Sequence, residues 1–223
     1  MITRRQTYLS FLIAILAILA FVSETRAVGY TVLTEAGDQH GEYEGFRSYA
    51  TTGAEMAGMR VTVTFDDAST ETVVWKDLGG TSGGAFGSSW SLQVDADTNG
   101  PGGSWTLTVD AGSPIDTVEI EAFPGNTVFD VKSSLPNTPE SGAGQEFTPI
   151  GADASIAAVA TYWDLVSFVP DVPAIADIYS RIVIEFTVSH TGTYEFAADT
   201  DTVQVGNLGE RRDARHTIGV LRR

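Results

Sequence analysis

No cysteine occurs in the 223 residues of the chain. That excludes disulfides, thiolate metal sites, a cysteine nucleophile and a lipid-modified amino-terminal cysteine. Basic residues are also scarce. Thirteen Lys and Arg stand against 29 Asp and Glu, a formal net charge of −16. A field of that sign repels nucleic acid and anionic membrane surfaces, so neither is expected as a partner. It favours solubility and attracts cations. Histidine is limited to His40, His190 and His216. A nucleophilic triad needs a positioned histidine, yet His190 falls in a turn signal and His216 in the carboxy-terminal tail. The apolar run Phe11–Val22 has only 12 residues, where a bilayer-spanning helix needs about 20.

That short run has a different meaning. Arg4 and Arg5 precede it, and the polar stretch Ser23-Glu24-Thr25-Arg26-Ala27 follows and ends on a small residue. Charged, then apolar, then polar with a small final residue is the layout of a secretory signal. Cleavage is expected after Ala27, giving residues 1–27 as signal peptide and leaving no membrane segment afterwards. A chain of the remaining length can build a stable core without covalent staples. Five basic residues crowd the end of the chain: Arg211, Arg212, Arg215, Arg222 and Arg223. Residues 206–223 therefore read as a basic, disordered tail.

Between these ends, residues 28–205 are expected to form one all-β domain, an antiparallel β-sandwich or jelly-roll. Met59–Phe65, Glu71–Lys76, Ser89–Val94, Ser104–Val109, Asp116–Phe123, Arg181–Val188 and Thr193–Ala197 alternate with period two. Each is rich in Val, Ile, Thr or aromatics, and such alternation gives a strand one packed and one wet face. Turn signals separate them, at Asp66-Asp67-Ala68-Ser69, Thr98–Gly103 and Ser189–Gly192. Ser89–Ala96 and Ser104–Ala111 echo each other across a Gly-rich turn, which predicts a hairpin. Thr81–Ser88 reads as a flexible loop and Leu135–Ala152 as a long connection. Ala154–Val166 fits either a short helix or a buried strand.

Candidate functional residues are few. Trp90 and Trp105, at matching places in the echo, are candidates for stacking on sugar; the alternative is core packing. Asp95-x-Asp97-x-Asn99-Gly100 has the oxygen ligands of the opening half of a calcium loop, making Ca2+ the candidate cofactor, but Thr106 stands where the closing Glu belongs. The same residues suit an ordinary hairpin turn. Asp38, His40, Glu42 and Glu44 form a second polar cluster. Asp199-Thr200-Asp201 supplies a pair of carboxylates, and two carboxylates facing a cleft would be the requirement for glycoside hydrolysis. Gly80-Thr81-Ser82-Gly83-Gly84 matches a nucleophile elbow, but a strand pattern follows it where the elbow needs a helix. No catalytic residue is assigned, and the chain is expected not to be an enzyme.

Thr52–Met59 with Val61–Phe65, then Trp75, the Thr81–Gly84 loop and Trp90-Ser91-Leu92, and above all Phe123–Asp130 and Phe196–Asp201, resemble a secreted bacterial domain. The likeness covers about residues 50–202. It is similar to β-rich domains of proteins with a PEP-CTERM sorting tail. The resemblance implies export, a β-rich fold and a setting on the cell surface or in an exopolysaccharide matrix; it implies no activity. The sequence departs from the family's tail pattern of Pro-Glu-Pro, membrane span and basic end, keeping only the last. The expectation is thus a secreted, extracellular or periplasmic protein without support for surface anchoring. Polysaccharide is its expected partner; the alternatives are a calcium-stabilised structural module and a carbohydrate-active hydrolase.

Overall fold

Strands that alternate apolar and polar side chains each present one dry face, and two sheets of such strands bury those faces against each other. A computed structural model describes residues 29–35, 43–48, 51–99, 102–131, 144–166 and 177–205. In chain order the strands are β1 (Tyr30–Thr34), β2 (Tyr43–Ser48), β3 (Arg60–Phe65), β4 (Thr70–Val74), β5 (Lys76–Gly79), β6 (Ser82–Phe86), β7 (Trp90–Val94) and β8 (Trp105–Val109). There follow β9 (Ile115–Glu121), β10 (Thr127–Asp130), β11 (Thr148–Pro149), β12 (Ala158–Val166), β13 (Ile178–His190), β14 (Gly192–Ala197) and β15 (Asp199–Val205). Three short 3-10 turns are the only helical elements among the described residues. None of their helices is long and apolar enough to cross a membrane.

The strands form two sheets, as expected of an all-β sandwich. The larger has nine strands: the path β2-β15-β10-β13-β9-β3-β4, with β12 on the other edge of β13 and β1 beyond it. The smaller runs β11-β14-β8-β7-β6-β5. The β1–β12 pair is parallel and the other strand pairs are antiparallel. Val61, Val63, Val118, Ile120, Ile182 and Ile184 of the large sheet share one buried cluster with Leu92, Leu107, Tyr194 and Phe196 of the small one.

The predicted hairpin is present: Trp90 pairs with Val109 and Val94 with Trp105. Its burial alternates along both strands, with Trp, Leu and Val inward. Two expectations need correction. Residues 82–86 are not a loop but strand β6. Its glycines reflect close packing: a Cβ on Gly83 would strike the Gly53 carbonyl and the Trp75 indole nitrogen. That closeness lets Trp75 Nε1 donate to the Gly53 carbonyl at 2.8 Å. Residues 144–152, within the expected long connection, contain β11 and the start of a 3-10 turn over Gly151–Ser155. Ala158–Val166 resolves as strand rather than helix, paired on both edges.

Candidate functional site

Strand register decides which side chains share a face. On the outer face of the large sheet, Val74 of β4 lies beside Arg60 of β3, and Arg60 beside Glu121 of β9. Glu121 lies beside Arg181 of β13, and Arg181 beside Trp163 of β12. The result is one row across five strands: Val74, Arg60, Glu121, Arg181, Trp163. A neighbouring row reads Thr72, Thr62, Glu119, Val183, Thr161, Leu33. The hydroxyls of Thr62 and Thr72 are hydrogen-bonded at 2.9 Å.

Arg181 is the best-held side chain of this face. Its Nε donates to Asp164 Oδ2 at 2.9 Å and its Nη1 to Glu119 Oε1 at 3.0 Å. Burial works against the charge of the guanidinium, but the two carboxylates outweigh it and hold its pKa above the ordinary value. The guanidinium carbon stands 5.5 Å from the centroid of the Trp163 ring, within cation–π range. Asp164 has φ 60, in the left-handed region. Strand alternation would turn its side chain inward, and this local turn is what accompanies its contact with Arg181. Aspartate tolerates that conformation better than most residues. The β12–β13 ladder pairs Trp163 with Arg181 and resumes at Leu165 with Tyr179, so the register survives the turn. Arg60 and Glu121 make a looser, exposed pair at 3.5 Å, the kind that contributes little to stability.

Tryptophan exposure corrects the sugar-stacking expectation. Trp90 is 4% exposed and Trp105 0%. Trp90 Nε1 donates to Glu71 Oε2 at 2.9 Å, tying β7 to β4 of the opposite sheet. Trp105 Nε1 donates to the Ala198 carbonyl at 2.8 Å, and its ring stacks on Phe196 at 5.8 Å. Neither ring can lie against a sugar, because the inward register of both strands commits them to the core. Trp163, at 36% exposed, is the tryptophan that reaches solvent. Sequence reasoning missed it because its segment fitted both helix and strand. A tryptophan on an otherwise Thr-rich and charged outer row was the available signal.

The calcium-like residues serve a turn. Asp95 Oδ1 accepts from the hydroxyls of Thr81 and Ser82, both at 2.8 Å. The hydrogen bonds from Ser82 and then Thr81 hold its pKa below the ordinary carboxylate value. Asp97 Oδ1 accepts from the Asn99 backbone N–H at 3.1 Å, as in an Asx turn, and Asp97 bridges to Thr52. Asn99 has further interactions of its own. Among the described residues no three His, Asp or Glu side chains gather as a metal cluster. Ser82, the serine of the elbow-like pattern, sits on a strand with Asp95 as its partner. Asp38, His40 and Glu42 lie outside the described residues, as does the side chain of Glu44.

The Asp199–Asp201 pair is buried, not displayed. Asp199 is 2% exposed and Asp201 1%, and Asp130, directly opposite Asp199 in the β10–β15 pair, is 0% exposed. Thr98 Oγ1 donates to Asp199 Oδ1 at 3.1 Å. Burial, then the neighbouring Asp201, push the Asp199 carboxyl up to about 8. A second buried polar pair is His190 Nε2 and Tyr194 Oη, which have no hydrogen-bond partner. Their rings meet edge to face at 5.5 Å where the chain passes from the large sheet to the small one.

Fold and surface together define an all-β sandwich whose outer face on the large sheet carries one exposed tryptophan among paired charges and threonines. Compared with known proteins, the chain matches no family model, no curated protein and no solved structure.

Proposed function

We propose that the protein is a non-catalytic, exported component of a cell surface or exopolysaccharide matrix that adheres to polysaccharide. The observation that carries this reading is Trp163: an exposed indole on a sheet face, beside an arginine fixed by two carboxylates. An indole offers an apolar plane to the C–H face of a sugar, while the adjacent charged groups and hydroxyls bond its hydroxyls. The exported address rests on the Arg4–Ala27 layout and on the resemblance to PEP-CTERM-associated domains.

Co-sedimentation of the purified protein with a panel of insoluble polysaccharides and bacterial exopolysaccharide, with calcium and with chelator, tests the reading. Retention on at least one polysaccharide is expected. Failure to be retained by any of them, in either condition, would overturn it.

A further inference from the structure

Chemical matching on the outer face narrows the ligand. Of Arg60, Lys76 and Arg181, the Lys and Arg residues whose side chains are described, two stand in the same row. Neither is left as a free cation. Arg60 faces Glu121 at 3.5 Å, and Arg181 holds Glu119 and Asp164. Three carboxylates therefore accompany two guanidinium groups. A uronate or sulfated chain needs cationic excess, and here it would meet carboxylates in a chain of net charge −16. Like-charge juxtaposition of that kind rejects a partner rather than merely failing to attract it.

What the face does offer is a mixture of fixed donors and acceptors. The guanidinium of Arg181 is fixed from two strands, so its remaining N–H groups are presented with little ordering left to do. Carboxylate oxygens have acceptor capacity beyond a single ion-pair contact. Threonines 62, 64, 70, 72 and 117 lie in register on β3, β4 and β9 and add hydroxyls at the β-sheet repeat. Each of these groups suits a neutral polyhydroxyl ligand. Length points the same way. Five strands at about 4.8 Å spacing give a row of roughly 19 Å, longer than a single sugar and suited to a chain.

We infer that this face takes a neutral, extended glycan, laid across the strands along the row from Val74 to Trp163. The inference rests on the polysaccharide reading above and adds the charge class and the location. Its test is isothermal titration and affinity electrophoresis of the purified protein with cello-oligosaccharides and dextran as neutral probes, and with polygalacturonate and alginate as anionic ones. Three variants accompany the wild type: Trp163→Ala, Arg181→Lys, and Gln93→Ala, a control at an exposed position of the small sheet. Thermal melts verify that each is folded.

The expected result is binding of a neutral probe, weakened at least ten-fold by Trp163→Ala, several-fold by Arg181→Lys and unchanged by Gln93→Ala. Binding of the anionic probes alone would overturn the charge class and leave the polysaccharide reading standing. Binding of a neutral probe that ignores Trp163→Ala while the variant stays folded would overturn the location. No binding of any of these probes would overturn the inference, while the broader reading falls only if the polysaccharide panel above also retains nothing.

Discussion

A buried carboxyl that is protonated near neutrality makes stability depend on pH in a direction opposite to that of most acidic residues. Asp199 is nearly inaccessible, faces Asp130 across the β10–β15 pair and has Asp201 two residues on. Its carboxyl is raised from 3.8 to about 8, by burial first and Asp201 second. In the unfolded chain it ionises near its ordinary value. Between those two values the folded state binds the proton and the unfolded state does not, so stability falls as pH rises. The limiting slope is about 1.4 kcal/mol per pH unit for one group, and the whole interval amounts to on the order of 6 kcal/mol. His190 acts with the opposite sign: burial lowers its pKa below 6.5, so stability falls as pH drops below that value. The window from about pH 6.5 to 8 lies above the range in which His190 acts and reaches up to the raised Asp199 value, and there the expected loss from Asp199 is about 1–2 kcal/mol. Urea unfolding at fixed ionic strength measures it. Asp199→Asn should flatten the profile in this window and exceed the wild type in stability at its upper end. A wild-type unfolding free energy that is flat or rising from pH 6.5 to 8 would refute the reasoning.

Other consequences are open to direct measurement. Trp105→Ala should cost about 3–5 kcal/mol by emptying the aromatic core, whereas Trp163→Ala should change stability by less than about 1 kcal/mol; comparable losses in chemical unfolding would contradict the assignment of the two faces. Gly83→Ala should destabilise by about 1–3 kcal/mol through overpacking against Gly53, read as a lower denaturation midpoint, and a neutral result would disprove the close approach. Tyr194→Phe removes a buried hydroxyl without a partner and should be neutral or stabilising by up to about 1–3 kcal/mol; a marked fall in the melting temperature would reveal a hydrogen bond that the hydroxyl makes. Millimolar calcium and a chelator should give the same melting midpoint, since Asp95 and Asp97 already serve local donors; a rise with calcium would restore the metal-loop reading.

The sandwich was legible where one face of a strand is dry and the other wet. Trp90–Val94 and Trp105–Val109 alternate cleanly, so their hairpin and its inward face could be deduced before any coordinates. The same alternation pointed both tryptophans into the core, which makes their burial the physically consistent outcome. Legibility failed where packing rather than pattern sets the conformation. Residues 82–86 look like a loop because Gly83 must admit the Gly53 backbone, a requirement set by a distant segment. Ala158–Val166 hides its period because Thr161 is covered as well as its inward neighbours Ala160 and Tyr162, so the face of Trp163 could not be assigned. Asp199 and Asp201 were visible as a pair, but their burial depends on Asp130 and Thr98, which only the β10–β15 pairing and the hydrogen-bond network bring near.

The pairing of β15 with β2 and of β12 with β1 sets the order in which the molecule can be completed. Strands made early in synthesis have no partner until strands made late arrive. Loops of that length are costly to close and slow to form. A chain emerging amino end first therefore keeps its large sheet incomplete until residues 199–205 are available. Under the exported address proposed above, such late closure would be an advantage, since the topology itself delays the native state; truncation ahead of β15 would leave β2 without a strand partner among the described residues and β10 with an unpaired edge.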